Sequence, residues 1–281
     1  MKIESEWGTP LVPEQFKKVL EEDIQKEIKA VILTHSETST GVINDLETIS
    51  SYIREHSTAL SIVDCVTSLG ACNVPVDDWQ LDVVASGSQK GYMIPPGLSF
   101  ISMSQKAWEA AEKSNLPKFY LNLKSYRKSL LTNSNPYTPA VNLVFALDES
   151  LKMMREEGLD NIFLRHRKHK FAMSHSVKAL GLELFAQEKY LSPAVTAIKT
   201  GKIDAEEFRK KIKNKFDILL AGGQDHLKGK IFRVGHLGYI NDRDIFTVIT
   251  AISNTLLELG EISSQQAGEA LVVASKYLEA N

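Results

Sequence analysis

The sequence predicts an α/β protein in which a mostly parallel β-sheet is followed by a smaller α+β domain. Three observations predict this class. Short apolar runs alternate with helical segments or long loops early in the chain, which is typical of a parallel sheet covered on both faces. Two long helical segments then meet at Gly158. After Gly181, short strands separated by turn residues predict a second sheet.

The composition is that of a globular protein with one large or two ordinary domains. The 281 residues are 43% hydrophobic and 24% charged, with a formal net charge of -2. This balance gives no basic field, so we expect no binding to nucleic acid or anionic lipid. No segment resembles a signal peptide or a membrane span. The two cysteines, Cys65 and Cys72, are too few for a disulfide framework or a cysteine zinc site, and we expect a cytoplasmic protein.

The elements of the first domain follow from periodicity and from capping residues. Apolar residues at helical spacing predict a helix over 13–29. Asn44, with Glu47 three residues later, predicts the start of a second helix. The apolar runs predict buried strands over 30–35, 59–64, 81–86 and 98–103. The stretch "SQKAWEAAEKS" predicts a helix after the last of them.

The later elements place the domain boundary. Long helices are predicted over 139–157 and about 160–180, on either side of Gly158. We therefore predict a large domain over 1–158, which includes the interdomain helix, and a small domain over 159–281. The small domain contains strands in "LELFA", "VTAIK", "DILLAG" and "KIFRVGHLG", and helices over 204–214, 241–259 and 263–280.

One histidine-rich stretch does not indicate a metal site. His166 and His169 stand three residues apart in "RHRKHKFAMSH", among lysines and arginines. No carboxylate or cysteine joins them at ligand spacing. We therefore predict a solvated basic helix face without a metal. The glycines of "AGGQDHLKGK" lack the ending of a phosphate-binding P-loop, so they predict a turn between strands.

Polar side chains follow three of the predicted strands, where ligands bind in parallel sheets. The three segments are 34–40, 64–68 and 86–90. Lys90 ends the last one, within "SGSQKGYMIPPG". Small neighbours and two prolines would give its amine a rigid, partly desolvated seat suited to Schiff-base chemistry. A loop lysine in a tight turn is the other interpretation.

Two further charged residues are candidates, each with an ordinary alternative. Asp64 ends a buried strand, where a carboxylate needs a partner such as a protonated ring nitrogen, or else serves as a turn residue. Arg233 lies in the apolar stretch "FRVGHLG" and could bind a carboxylate, or else be structurally paired. The hydroxyl-rich "THSETSTG" could orient a ring oxygen or phosphate, or be a simple loop. Together, these groups match the needs of a pyridoxal phosphate enzyme.

Several stretches resemble the class V aminotransferases of the fold-type I pyridoxal phosphate enzymes. They are "VILTHSETSTGV", "SIVDCVTSLG", "VVASGSQKGYMIPPGLSFIS", "YTPAVNLVFALDESL" and "IFRVGHLGY", spread in order over almost the whole chain. The similarity is to the branch with alanine–glyoxylate, serine–pyruvate and archaeal aspartate aminotransferases. The resemblance implies the fold-type I fold, with a large domain that contains the cofactor site and a small α+β domain.

The resemblance also implies a role for each cofactor-binding residue. Lys90 would form the Schiff base with pyridoxal 5'-phosphate and move the proton during transfer. Asp64 would pair with the protonated pyridine nitrogen, and Thr38 would hydrogen-bond the phenolic oxygen of the ring. Gln89 would contact the phosphate. Thr138 would reach the phosphate of the neighbouring subunit in a homodimer.

For the substrate, the resemblance implies that Arg233 binds the α-carboxylate and so orients the Cα–H bond. The expected reaction transfers an amino group from alanine, serine or aspartate to a 2-oxo acid such as glyoxylate or pyruvate. Members of the family carry a further N-terminal region with a phosphate-binding loop. We therefore expect an N-terminally truncated large domain, with an unpaired sheet edge or an exposed apolar face.

Two alternatives compete with the transaminase interpretation. The chain could be an inactive truncated aminotransferase-fold subunit that acts through dimerisation or partner binding. It could also be a lyase or desulfurase on the same fold. A desulfurase needs a nucleophilic cysteine in a mobile loop, whereas Cys65 and Cys72 lie near Asp64.

Overall fold

The computed structural model describes residues 1–279 and contains two four-stranded sheets and a two-stranded ribbon. The strands are β1 Ala30–Thr34, β2 Ser36–Glu37, β3 Val42–Ile43, β4 Leu60–Asp64, β5 Val83–Gly87, β6 Ser99–Met103, β7 Glu183–Leu184, β8 Val195–Lys199, β9 Ala221–Gly222 and β10 Ile231–Gly235. The α-helices are α1 Pro13–Glu22, α2 Leu46–His56, α3 Gln105–Lys113, α4 Leu123–Leu130, α5 Val141–Glu157, α6 Leu159–Ala179, α7 Ala205–Phe216, α8 Asp242–Glu258 and α9 Ser264–Glu279. The predicted last helix extended to residue 280, which lies outside the described residues.

The first sheet has the order β1-β4-β5-β6, with β1, β4 and β5 parallel and β6 antiparallel to β5. The prediction of a mostly parallel sheet in an α/β fold is therefore confirmed. Leu33, Val63 and Val84 point to one face of this sheet and share a core with Phe16 of α1 and Ile49 of α2. Burial of these side chains anchors both helices on that face.

The other face of this sheet is only partly covered, which differs from the pattern of cover on both faces and agrees with the expectation of an exposed apolar face. Ile32 on β1 and Ile101 on β6 are 76% and 48% exposed. Alternation along each strand places them opposite the core side chains. Within residues 1–279, the second face therefore leaves apolar side chains accessible to solvent.

The second sheet is antiparallel, with the order β7-β8-β10-β9. Residues of helices α6, α7, α8 and α9 share one core with this sheet, and Phe208, Ile198, Phe232 and Ile249 are members of it. The short strands predicted after Gly181 are thus present. The division of the chain into domains at residue 158 remains a prediction, although Gly158 separates α5 from α6.

Two helix ends differ from the sequence prediction because local side chains compete for the backbone. Helix α1 ends at Glu22 instead of residue 29, and both carboxylate oxygens of Asp23 accept hydrogen bonds from the amides of Glu27 and Ile28. Helix α2 is capped by Asp45, not by the Asn44 pair that the sequence suggested. Asn44 instead binds two other segments of the chain.

The prediction of a solvated basic face on α6 is wrong for two of its histidines. His166 and His169 are fully buried, because α8 and α9 pack against α6. His169 Nε2 lies 2.9 Å from Asp242 Oδ1 at the start of α8. His166 Nδ1 lies 2.7 Å from the carbonyl oxygen of Ile162. Both side chains are therefore packing residues with specific hydrogen bonds.

Within the described part of the chain, no helix is both long and apolar enough to cross a membrane. Residues 1–279 also contain no cluster of three or more histidine, cysteine, aspartate or glutamate side chains arranged to hold a metal ion.

Asp82 joins the start of β5 to β4 and α3. Its Oδ2 accepts from the amide of Ser61 at 3.0 Å and from Lys106 Nζ at 3.2 Å. Its Oδ1 accepts at 2.7 Å from the hydroxyl of Ser104, which caps α3. The Lys106 side chain is 48% exposed and that of Asp82 only 8%. Solvent therefore screens the ion pair, and the hydrogen bonds to Ser61 and Ser104 provide most of the stabilisation.

We expect Asp82→Ala to lower the free energy of unfolding by about 2–4 kcal/mol, because it leaves a buried amide and a hydroxyl without an acceptor. Lys106→Met, the matched control, should cost less than about 1 kcal/mol. Urea unfolding followed by circular dichroism measures both. Equal losses for the two variants would contradict this assignment.

Three buried histidines should make the protein sensitive to acid. Burial lowers the pKa of His35 and His166 to about 4 and that of His236 to about 3. Between about pH 6.5 and pH 4 the unfolded chain binds more protons, so the free energy of unfolding falls as the pH drops. By pH 5 the loss should be about 1–2 kcal/mol for each histidine.

Urea unfolding at pH 7 and pH 5 measures this loss. His236→Gln keeps a group that can bond the Thr196 hydroxyl, which lies 2.9 Å from His236 Nε2. This variant should therefore show a smaller pH dependence than the wild type. An unchanged dependence would show that His236 is not one of the responsible groups.

Candidate active site

Three polar segments meet at one edge of the first sheet, because β1, β4 and β5 are parallel neighbours. The register pairs Thr34 with Asp64, and Asp64 with Ala85. The carboxyl ends of all three strands therefore point to the same side. The segments that the sequence marked, 34–40, 64–68 and 86–90, follow these ends.

Thr38 lies in the turn of a small antiparallel ribbon formed by β2 and β3, instead of in an irregular loop. Its hydroxyl is 2.6 Å from the hydroxyl of Thr67, in the segment after β4. The segment before β8 supports the ribbon, since Ser36 Oγ lies 2.8 Å from Ser192 Oγ and the Gly41 carbonyl accepts from the Ser192 amide at 2.8 Å. The Thr38 turn is therefore held from both sides.

Asp64 ends β4 with its side chain exposed at the sheet edge. Its Oδ1 accepts from the amide of Val66 at 2.8 Å, which is the local turn interaction that the sequence offered as an alternative. Within the described chain, its Oδ2 has no hydrogen-bond partner. A cleft of about 600 Å³ adjoins Asp64 and is also lined by Trp7, Thr34 and Glu37. One carboxylate oxygen can therefore receive a ligand.

Lys90 occupies a turn that is braced by Ser88, a fully buried residue. The Ser88 hydroxyl donates to the Pro95 carbonyl at 2.8 Å and accepts from the Leu98 amide at 3.1 Å. These bonds close the proline-containing loop, as expected for a rigid turn. Lys90 is partly exposed and Gln89 is exposed. Within residues 1–279 the Lys90 amine forms no hydrogen bond or ion pair, so it is available to react.

Two glycines bring the Lys90 turn against the segment that follows Asp64. A Cβ atom on Gly91 would lie 2.2 Å from the carbonyl oxygen of Leu69. Gly70 has φ +83°, and a Cβ there would lie 2.9 Å from the Gly91 Cα. Only residues without a side chain permit this approach. The backbone contact fixes the Lys90 turn beside the loop that begins at Asp64.

Arg233 links the second sheet to the same edge of the first sheet. It is only 8% exposed on β10. Its Nε donates to the Gly222 carbonyl at 2.9 Å, and its Nη1 donates to the Thr38 carbonyl at 2.8 Å. Burial, followed by the charge of Arg209, lowers the pKa of Arg233, while Glu37 opposes the shift. The guanidinium stays cationic at neutral pH, and its Nη2 has no partner within residues 1–279.

Thr138 is not brought to the other predicted residues. It is exposed, as is Pro139, while Tyr137 beside it is half-buried. In the described chain its hydroxyl forms no hydrogen bond. Its predicted contact with a neighbouring subunit therefore stays a prediction.

The two cysteines are poorly suited to the desulfurase alternative. Burial raises the pKa of Cys65 to about 11 and that of Cys72 to about 12. The thiolate is the reactive form, so neither side chain is an activated nucleophile at neutral pH. Both are free thiols, and neither lies in an exposed loop.

Three contributors to the site were not identified as such from the sequence. They are Ser88, the Gly70–Gly91 contact and Thr67. Thr67 stands within the polar segment after β4, so its position was a usable signal. The glycine contact joins two residues that are 21 positions apart, and periodicity carries no information about such a pair.

The residues at this edge fit pyridoxal 5'-phosphate. The donor set contains an unpaired amine at Lys90, a carboxylate with one unoccupied oxygen at Asp64 and a hydroxyl at Thr38. On β5, Ala85 stands beside Asp64 and Gly87 follows two residues later. These small residues leave room for a planar ring next to the carboxylate.

Comparison with known proteins agrees with this chemistry. The family model for class-V aminotransferases matches residues 14–237. The soluble hydrogenase 42 kDa subunit of Anabaena cylindrica is 59% identical over 92% of this chain and 67% of its own length. An uncharacterized aminotransferase of Methanocaldococcus jannaschii is 40% identical over 92% of this chain and 68% of its own. The serine–glyoxylate aminotransferase of Methylorubrum extorquens is 35% identical over 99% and 71%.

A solved structure has the same fold. The ureidoglycine–glyoxylate aminotransferase of Bacillus subtilis superimposes with a TM-score of 0.89 at 32% identity, covering 98% of this chain and 71% of that one. The fold is therefore that of the fold-type I pyridoxal phosphate transferases. The sequence match over residues 14–237, the shared fold and the residues assembled at the sheet edge agree, and the chain belongs to the class-V aminotransferase family.

Proposed function

We propose that this protein is a pyridoxal phosphate-dependent transaminase. One observation carries the proposal: Arg233 from the second sheet bonds the Thr38 carbonyl, and the Thr38 hydroxyl bonds Thr67 in the segment after Asp64. A group suited to binding a carboxylate is thereby joined to the sheet edge that carries Asp64 and Lys90. A transaminase needs these groups on opposite sides of one bound amino acid.

Four residues would hold the cofactor, whose ring withdraws electrons from the substrate Cα when it is bound. The free oxygen of Asp64 would accept a hydrogen bond from the protonated ring nitrogen. The Thr38 hydroxyl would donate to the phenolic oxygen. Gln89, exposed beside Lys90, would contact the phosphate. Thr138 would reach the phosphate of a second subunit in a homodimer.

Lys90 would attach the cofactor covalently and then act as the base and acid of the reaction. Its Nζ would take the proton from the substrate Cα and return it to the cofactor side. Proton transfer needs an amine that forms no salt bridge and whose position is fixed. Among the described residues Lys90 has no ionic partner, and the Ser88 hydrogen bonds hold its turn.

Arg233 would fix the orientation of the substrate. Two of its nitrogens are held by backbone carbonyls, so the guanidinium plane is set before a ligand arrives. The remaining donors can bind the α-carboxylate by charge-assisted hydrogen bonds. Binding there directs the Cα–H bond towards the Lys90 amine, which is a positioning effect.

The proposed substrates are a small amino acid, such as alanine, serine or aspartate, and a 2-oxo acid acceptor such as glyoxylate or pyruvate. Relatives named for serine–glyoxylate and aspartate–glyoxylate transfer support this class.

Borohydride reduction in the presence of pyridoxal phosphate should label one lysine, Lys90, in peptide maps of the purified protein. Lys90→Ala should abolish the label. It should also lower the transamination rate at least about 1000-fold, because no other base replaces the amine. Lys113→Ala, which changes an exposed lysine at the end of α3, is the control. The assignment is wrong if Lys90→Ala is labelled like the wild type.

Arg233→Leu should lower kcat/KM for an amino acid by about 100-fold or more, while labelling of Lys90 remains. The amide of the same amino acid lacks the carboxylate and should be used equally well by the variant and the wild type. Arg209→Met is the control, because Arg209 bonds Glu206 and the Leu220 carbonyl instead of Thr38. Loss of the acid-over-amide preference in Arg209→Met would contradict the role of Arg233.

A second candidate is an inactive aminotransferase-fold subunit that works through dimerisation or partner binding. The observation that favours it is a set of exposed apolar side chains that runs from the end of α3 into the first turns of α5. They are Leu116, Phe119, Tyr120, Leu121, Leu130, Leu131, Val141, Val144 and Phe145. Such clustering is typical of a protein interface. This candidate predicts that light scattering shows an oligomer. It also predicts that Lys90 is not labelled and that the protein does not catalyse transamination.

A further inference from the structure

Two adjacent side chains of α6 hold one short segment that follows β10. His166 Nε2 accepts from the Gly238 amide at 3.1 Å. Arg165 Nη1 donates to the carbonyls of Gly238 and Ile240, both at 2.8 Å. Gly238 is thus bonded through both its amide and its carbonyl. We call Arg165 and His166 the Gly238 clamp.

Both members of the clamp are themselves fixed. Arg165 forms a two-point ion pair with Glu157, at 2.6 Å from Nε and 3.0 Å from Nη2. His166 bonds the Ile162 carbonyl through Nδ1, which leaves Nε2 as the acceptor for Gly238. Burial keeps the pKa of His166 at about 4, so the ring is neutral near pH 7 and the acceptor is preserved.

Gly238 in turn contacts the turn that contains Lys90. Its φ is +86°, and a Cβ there would lie 3.3 Å from Met93 Cγ and 3.4 Å from the Lys90 carbonyl oxygen. Met93 adopts φ 61°, a conformation that residues with a side chain disfavour. Its amide donates to the Lys90 carbonyl at 3.0 Å. A turn of this kind persists only when its surroundings hold it.

The segment held by the clamp also continues the strand of Arg233. We propose that Arg165 and His166 are positioning residues that hold the Lys90–Met93 turn, through Gly238, at a fixed place relative to Arg233. The catalytic meaning of this link rests on the proposed function, in which Lys90 moves the proton and Arg233 binds the carboxylate. Neither clamp residue touches the reacting groups.

Hydrogen–deuterium exchange of the protein without cofactor tests the link directly. His166→Leu removes the acceptor and should speed exchange of the Gly238 and Met93 amides about tenfold or more. The matched control is His169→Leu, which removes an equally buried histidine of the same helix whose partner is Asp242. This control should leave exchange at Met93 within about twofold of the wild type.

Two further variants keep the test decisive if His166→Leu does not fold. His166→Gln supplies an amide oxygen near the position of Nε2 and should restore slow exchange at Gly238. Arg165→Met removes the two carbonyl bonds and should speed exchange at Met93. The proposal is overturned if Met93 exchanges at the wild-type rate in both His166→Leu and Arg165→Met, or if His169→Leu accelerates it equally.

Pyridoxal phosphate labelling separates this proposal from the proposed function. In the wild type, borohydride should fix the label on Lys90, and His166→Leu should slow that attachment about tenfold while His169→Leu does not. A wild type that is not labelled at Lys90 would refute the transaminase function and with it the catalytic meaning of the clamp. Labelling at an equal rate in the wild type and His166→Leu would overturn the clamp alone.

Discussion

The parallel hydrogen bonding of β1, β4 and β5 is the constraint on which the site depends. It brings the carboxyl ends of three strands to one edge, with Thr34, Asp64 and Ala85 in register across it. The polar residues that directly follow the carboxyl ends of β1, β4 and β5 are therefore the candidates for the site. Antiparallel pairing of any of the three would send its polar segment to the opposite edge, about five residues or roughly 16 Å away.

Around this edge, backbone contacts do much of the positioning. The carbonyl of Thr38 accepts a hydrogen bond from Arg233. Gly238 is bonded to His166 of α6 and lies against the turn that contains Lys90. The Gly91 backbone also lies directly against Leu69. Such contacts resist displacement, because a buried backbone group that loses its partner or its close packing costs free energy. The charged side chains are thereby held without pairing to one another, which leaves them available to a ligand.

Sequence reasoning was most accurate where one segment decided the outcome alone. The four strands predicted for the first sheet agree with the structure to within two residues at each end. Sequence-based prediction failed where contacts with distant segments determined the environment of a residue. The charges around His166 and His169 suggested a solvated face, and only the packing of α8 and α9 shows that both rings are buried. The sequence pattern suggested that Asn44 caps a helix. Its side chain instead accepts a hydrogen bond from the Leu11 amide and donates one to the Thr34 carbonyl.

The sequence by itself determined the class of fold, the polar segments that follow β1, β4 and β5, and the identity of Lys90, Asp64, Thr38 and Arg233 as candidates. Local composition encodes these, since periodicity and strand-end chemistry act over a few residues. Only the tertiary structure decided that Arg233 bonds Thr38 across 195 positions, and that Gly238 rests on the Lys90 turn. Contacts between segments so far apart depend on how whole sheets and helices pack, and no local pattern specifies them.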